Sequence, residues 1–167
     1  DKFSKADYTE RQRQYAAAFK LKSIYTPQVV INGKKELVGS DQTRLRRAIR
    51  EELKLKTDYE INVSAKLKEK EISVSYTTSV SDKHFLKIAL VQVHAETPVK
   101  KGENSGRYLK HINVVRDIQT IHLSKKGDGQ TSFSIPADLL ASNVKIVAFV
   151  QDKDDLKIVA AADAIVE

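Results

Sequence analysis

The chain of 167 residues contains no cysteine, no methionine and no tryptophan. Without cysteine, these residues hold no disulfide, no thiolate metal ligand and no cysteine nucleophile. No stretch approaches the roughly 18 consecutive apolar residues that a membrane-spanning helix requires, so we expect no membrane insertion. The sequence opens at Asp1 without a targeting segment, and we therefore expect it to be a processed or cut product.

Hydrophobic residues make up 41% of the chain and charged residues 31%, a composition typical of a globular protein. The net charge is +7, and all of this excess lies in residues 1–56, which hold 14 basic and 7 acidic side chains. Residues 57–167 hold 15 of each. This difference predicts two units with different surfaces, divided near residue 56.

The first unit is predicted to begin with a helix and a β-hairpin. Residues 9–19 contain a run of three alanines, which favours a helix. Two short strands are expected at residues 28–31 and 34–38. Asn32 and Gly33 lie between them, and Asn-Gly is a strong hairpin signal because both central residues of a type I′ turn need a positive φ.

A second helix is predicted over residues 42–54, with Ser40 or Asp41 as its N-cap. Its apolar arc, which we expect a sheet to cover, consists of Leu45, Ala48, Ile49 and Leu53. Its opposite face carries Arg44, Arg46, Arg47 and Arg50. No aromatic residue is interleaved with these arginines, so the pattern favours a solvated basic face over a nucleic-acid-binding surface.

The second unit, residues 57–167, is predicted to be a β-sandwich. Apolar and polar residues alternate along several short segments that are separated by turn residues. Seven or eight such strands indicate an antiparallel sandwich with immunoglobulin-like architecture. The segment 108–123 is too long for one average strand, which predicts a bend or a bulge within it. The fold class is therefore α+β.

Residues 25–33 (YTPQVVING) and 37–40 (LVGS) resemble the second half of a thioredoxin fold. In that fold a Thr-Pro with a cis peptide bond precedes an antiparallel hairpin and a last amphipathic helix. Residues 8–15 (YTERQRQY) and 102–107 (GENSGR) extend the resemblance to one bacterial family of secreted, uncharacterised thioredoxin-like proteins. The expected architecture is thus a partial thioredoxin-like α/β unit followed by the sandwich.

The resemblance implies a binding role for Tyr25, Thr26 and Pro27, which would contact an extended segment of a protein substrate. It also implies a periplasmic or secreted location. Members of the family carry a Cys-x-x-Cys half upstream, and redox exchange needs such a thiolate to attack a disulfide sulfur. We therefore expect this chain to be a fragment without its dithiol, and by itself not an enzyme.

Two functions remain open at this stage. The full-length protein is expected to perform thiol–disulfide exchange or to bind substrate proteins. The alternative is a non-enzymatic structural or protein-binding module whose working surface is the β-sandwich. In both cases a two-stranded hairpin is marginal alone. If these residues are the whole protein, we therefore predict that the edge of residues 28–31 is exposed, or that it pairs with a second molecule in a homo-oligomer.

A second candidate site is a polar cluster around the loop that precedes residue 108. Its members are Glu103, Asn104, Arg107, His111, Asn113 and Arg116. A ligand pocket and a hydrogen-bond network that pins the loop are both possible, and the network is favoured because no nucleophile or matched carboxylate pair accompanies the cluster. The four histidines lack the spacing of a metal site, so the sequence predicts no metal and no cofactor.

Overall fold

The computed structural model describes residues 6–80, 83–98, 106, 108–123 and 127–167. In these ranges the protein is mixed α/β, with two α-helices and mostly antiparallel strands. The elements are α1 (Ala6–Ala18), β1 (Gln28–Ile31), β2 (Lys35–Val38), α2 (Gln42–Glu52), β3 (Ile61–Lys68), β4 (Glu71–Thr78), β5 (His84–Pro98), β6 (Tyr108–His122), β7 (Asp128–Ser134), a 3₁₀ turn (Ala141–Asn143), β8 (Val144–Asp152) and β9 (Ile158–Ile165). Neither described helix is long and apolar enough to cross a bilayer.

Two antiparallel sheets enclose the main apolar core. One sheet has the strand order β3–β4–β7 and the other β6–β5–β8–β9. Ile72 and Val74 from the first sheet meet Leu86, Ile88 and Ile146 from the second, and all five side chains are fully buried. Burial of each such side chain contributes about 1.5–3 kcal/mol, so this contact between the sheets holds the sandwich together.

The long strand β6 differs in its sheet from the fourth strand of a constant-type immunoglobulin domain, while the immunoglobulin-like architecture stays a prediction. In a constant immunoglobulin domain the fourth strand joins the sheet of the first two. Here β6, the fourth strand after residue 57, pairs along β5 in the other sheet. A register shift opposite Leu90 and Val91 leaves Arg116 as the extra residue, which confirms the bulge predicted for this segment.

The hairpin turn has the backbone conformation that its Asn-Gly sequence predicts, with φ of 49° at Asn32 and 65° at Gly33. The turn packs against the connection between β8 and β9. The Ile158 N–H donates to the Asn32 carbonyl at 2.8 Å. A Cβ on Gly33 would lie only 2.1 Å from the Leu156 carbonyl oxygen, so only glycine allows this close approach.

The two helices differ in part from their predicted positions and surroundings. Helix α1 begins at Ala6, three residues before the predicted start. Helix α2 begins at Gln42, and the Asp41 side chain caps it by accepting from the Arg44 N–H at 3.0 Å. The expectation that a sheet covers the apolar arc of α2 is wrong for Ile49 and Leu53, which are 41% and 78% exposed. Two strands about 5 Å apart are too narrow to cover a helix about 10 Å wide.

Glu52, in the last turn of α2, connects this helix to the hairpin turn. Its carboxylate is buried and accepts from Asn32 Nδ2 at 3.1 Å and from Lys34 Nζ at 3.3 Å. Burial by itself would raise the pKa of Glu52, but these two hydrogen bonds and the charges of Lys34 and Lys35 hold the pKa below its usual value. Glu52 therefore stabilises the contact between α2 and the hairpin turn as an anion.

Candidate functional site

The Thr26–Pro27 loop lies beside helix α1 at the start of β1. The Thr26–Pro27 peptide bond is cis, as the resemblance implied, and both residues are exposed. The Pro27 carbonyl accepts from the Gly39 N–H at 2.8 Å, which continues the hairpin to the loop. A cavity of about 430 Å³ separates the loop from α1, and its walls include Thr26, Pro27, Val30, Arg11 and Tyr15.

Tyr25, the third residue of this predicted site, contacts the hairpin. Its hydroxyl donates to the Glu36 carboxylate, which also accepts from Gln28 Nε2 at 3.2 Å. The hydrogen bond to Glu36 raises the pKa of the Tyr25 hydroxyl above its usual value. Thr26 and Pro27 therefore line the cavity, whereas the Tyr25 hydroxyl contacts Glu36 on β2.

Strand β1 has a partner on one side only. Within the residues that the structure describes, β1 pairs with β2 and with no other strand. The carbonyl groups of Pro27 and Ile31 point toward β2, because they accept from the Gly39 and Lys34 N–H groups. Backbone groups of an antiparallel strand alternate in direction, so Gln28 and Val30 present their N–H and C=O groups to the open edge. The predicted exposed edge is thus observed in the described part of the chain.

A buried polar network attaches α1 to the sandwich. Gln151 is only 1% exposed, and its Nε2 donates to the Tyr15 hydroxyl at 2.9 Å and to the Leu156 carbonyl at 2.7 Å. Arg11 donates to Gln151 Oε1 at 3.2 Å and to the Tyr15 hydroxyl at 3.0 Å. The Arg11 guanidinium also lies 5.0 Å from the ring centroid of Tyr15 and 5.4 Å from that of Phe149. These contacts fix Arg11 between the loop cavity and the sheet.

A larger groove lies on the outer face of the four-stranded sheet, with a volume of about 760 Å³. Side chains alternate along each strand, so the residues between the core positions of β5 and β8 face outward. They form an apolar floor of Ala89, Val91, Val115, Ile118, Val147 and Phe149. Helix α1 contributes Arg11 at one end, and Lys145 pairs with Asp163 at 3.0 Å at the other. Sequence analysis did not identify this groove.

The predicted polar cluster is only partly described. Glu103, Asn104 and Arg107 lie outside the described residues. His111 is half-buried on β6, while Asn113 has a φ of 55° and lines the apolar groove. The cluster as a whole stays a prediction.

Arg116 has two partners that were not foreseen from the sequence. It donates to Gln92 Oε1 at 2.7 Å and to both carboxylate oxygens of Asp138 at 2.9 and 3.0 Å. The bulge in β6 explains the miss, because an extra residue breaks the alternation from which neighbours were inferred. Nη2 makes both contacts to the carboxylate and Nη1 donates to Gln92, so the guanidinium is fixed in place as a structural tie.

Two arginines of α2 form local ion pairs on the surface. Arg47 on α2 contacts Glu51 at 3.1 Å, and Arg44 lies 4.0 Å from Asp41. Such exposed pairs contribute little stability. Within the described ranges, no group of three or more acidic or histidine side chains is arranged to hold a metal ion.

The fold defines a class of small α+β protein in which a helix–hairpin–helix segment is attached to an antiparallel sandwich. Two cavities lie on its surface. The chain belongs to the family described as a protein of unknown function (DUF1223), whose sequence pattern matches residues 1–151. This agrees with the resemblance to an uncharacterised family. The thioredoxin-like and secreted character of that family stay predictions for this chain.

Two solved structures of other proteins align with this chain. A protein from Agrobacterium tumefaciens aligns with a TM-score of 0.63 at 20% identity, covering 98% of this chain and 72% of that one. A domain of the outer membrane lipoprotein Omp28 from Porphyromonas gingivalis aligns with a TM-score of 0.48 at 14% identity, covering 66% of this chain and 89% of that one. No functionally curated protein matches the sequence. The first likeness supports the fold and leaves the activity to be inferred from the sites.

Proposed function

We propose that this chain binds an extended segment of a protein substrate along the Thr26–Pro27 loop and the open edge of β1. In this proposal residues 1–56 act as the substrate-binding half of a thioredoxin-like protein of the bacterial envelope, and residues 57–167 form a separate sandwich unit. The observation that carries the proposal is the exposed Thr26–Pro27 loop, which lies across a cavity of about 430 Å³ from helix α1.

The edge and the loop cavity offer complementary contacts to such a segment. The outward N–H and C=O groups of Gln28 and Val30 are available for main-chain hydrogen bonds, the mode in which an edge strand accepts an extended peptide. A side chain of the bound segment enters the cavity of about 430 Å³ between Pro27 and helix α1. Tyr15 supplies an aromatic wall there, and Arg11 supplies a positive charge.

Binding and thiol chemistry are separate parts of the proposal. The chain has no cysteine, so thiol–disulfide exchange requires a dithiol from outside these residues. We therefore assign substrate binding to this chain and expect no disulfide reduction by it alone. An insulin-reduction assay of the chain alone tests for thiol chemistry, and titration with an unfolded protein measures binding.

A pair of proline variants tests the open edge. Val30→Pro removes an N–H that faces this edge, whereas Val38→Pro removes one from the opposite edge of the same hairpin. The probe is fluorescently labelled, carboxymethylated lactalbumin, which is permanently unfolded. Loss of one main-chain hydrogen bond of about 1 kcal/mol should weaken binding about fivefold in Val30→Pro. Val38→Pro should bind like the unmodified chain.

Equal affinities for the two proline variants would contradict binding at β1. A second copy of the chain competes for the same edge, so sedimentation velocity over a concentration range accompanies the titration. A dimer that Val30→Pro abolishes, without binding of the unfolded probe, would assign the edge to self-association instead.

The second candidate function is a binding module that works through the sandwich. The observation that favours it is the apolar groove of about 760 Å³ on the outer face of the four-stranded sheet. Ligand sites commonly have volumes of about 300–1,000 Å³ and mostly apolar walls. If the sandwich is the binding surface, Val30→Pro leaves ligand binding unchanged, and this result separates the two candidates.

A further inference from the structure

The floor of the outer-face groove is a continuous apolar track. Along β8 it runs from Phe149 through Val147 to Lys145. The four residue steps from Phe149 to Lys145 correspond to about 13 Å. Beside this track lie Ala89 and Val91 of β5, which are both almost fully buried. The groove therefore has the length and polarity that suit an unbranched hydrocarbon chain.

Positive charge is concentrated at one end of this track. The Arg11 guanidinium lines the groove and lies over the Phe149 ring. Lys87 is not one of the lining residues, but it is the direct cross-strand neighbour of Phe149 on β5. Lys87 Nζ donates to the Thr120 hydroxyl at 2.6 Å. In the part of the chain that the structure describes, neither Arg11 nor Lys87 forms an ion pair with a carboxylate. At the other end of the track, by contrast, Lys145 is neutralised by its own carboxylate partner.

The two cations at this end disfavour each other. Burial lowers the pKa of the Lys87 ammonium, and the nearby charge of Arg11 lowers it further. A bound anion would relieve both effects, because it compensates two charges that no described carboxylate compensates. Three of the five guanidinium N–H donors of Arg11 remain for such an anion once its bonds to Gln151 and Tyr15 are counted.

We propose that this groove binds an anionic amphiphile of the long-chain carboxylate class, with its hydrocarbon chain on the β8 track and its carboxylate at Arg11, beside which Lys87 adds a second positive charge. This deepens the second candidate function and does not require strand addition at β1. A peptide suits the groove less well. The face of a sheet presents side chains and leaves the main-chain groups of a peptide without partners, which costs free energy.

Three small probes test the proposal in the intact chain. They are dodecanoate, which has both features, dodecanol, which has the same chain without the charge, and butanoate, which has the charge on a short chain. Each is titrated calorimetrically below its critical micelle concentration. Dodecanoate is expected to bind about tenfold or more tightly than dodecanol, because the alcohol lacks the charge that Arg11 would bind. It is expected to bind tighter than butanoate by at least the same factor, because the short chain buries less apolar surface.

Substitutions locate the bound ligand. Lys87→Gln should weaken dodecanoate binding about tenfold and leave dodecanol unchanged, and Lys66→Gln on the exposed face of β3 is the matched control. Val147→Glu places a negative charge on the track and should abolish binding of both. Val30→Pro should bind dodecanoate normally, which separates failure here from failure at β1. Amide chemical shifts should change at Ala89 and Val147.

Three results would overturn the proposal. The first is equal affinity for dodecanol and dodecanoate, because it would show that the carboxylate contributes nothing and that the groove has no anion subsite. The second is binding that persists in Val147→Glu while the variant retains its fold by circular dichroism. The third is an acidic extended peptide that binds the groove as tightly as dodecanoate, because it reassigns the surface to a polypeptide partner.

Discussion

Substitution of Gly33 by alanine measures how firmly the hairpin turn is attached to the sandwich. Gly33 has a φ of 65°, a conformation that costs a residue with a Cβ about 1–2 kcal/mol. The new methyl group would also lie 2.1 Å from the Leu156 carbonyl oxygen, a backbone atom that cannot rotate away. The turn must therefore move, and the hydrogen bond from Ile158 to Asn32, worth about 1 kcal/mol, is lost with it. The expected total is about 2–4 kcal/mol.

Gly106 provides the matched control for this experiment. Its φ is 84°, and no atom lies within 4 Å of the position that a Cβ would take. Gly106→Ala should therefore lower the free energy of unfolding by the conformational cost alone, about 1–2 kcal/mol. Urea denaturation gives both values, and hydrogen exchange at the Ile158 amide should accelerate only in Gly33→Ala. Equal losses in the two variants, with no change in exchange, would refute the contact between turn and sandwich.

Two further predictions concern buried polar groups. Gln151→Leu removes hydrogen bonds to groups that stay buried, so it should lower the free energy of unfolding by about 2–4 kcal/mol, while Gln130→Leu on the exposed part of β7 should change it by less than about 0.5 kcal/mol. Because the pKa of Glu52 is lowered by folding, its contribution is present above its unfolded value of about 4.5 and is lost as the pH falls through the lower folded pKa. In Glu52→Gln the acid limb of stability against pH should be shallower, and an unchanged limb would show that other carboxylates determine it.

Local signals in the sequence were sufficient for the elements, because each depends on neighbouring residues. The Asn32–Gly33 turn needs only two residues that tolerate a positive φ, and the period-2 pattern after residue 57 needs only one buried face. The loop cavity could also be anticipated, since the resemblance pointed to Thr26 and Pro27. The apolar groove could not, because its floor combines residues from strands that are distant in sequence.

Gln151 shows the same limitation in a single residue. It follows an apolar run in β8 and gave no sign of being buried, yet it is 1% exposed. Its burial depends on Tyr15, 136 residues earlier in the chain, and on a helix that presents polar atoms to the sandwich. A helix held by polar contacts lacks the apolar stripe from which packing is predicted.

Helix α1 links the two proposed sites through one side chain. Arg11 lines both the loop cavity and the outer-face groove, and its position is fixed by Gln151 and Tyr15 rather than by a carboxylate. A carboxylate bound in the groove would draw the guanidinium toward Phe149, which changes the charge that a peptide meets at Pro27. Binding free energies that depend on one shared group are linked, and the linkage is reciprocal. Dodecanoate should therefore change the affinity of the unfolded probe by the same factor by which the probe changes the affinity of dodecanoate.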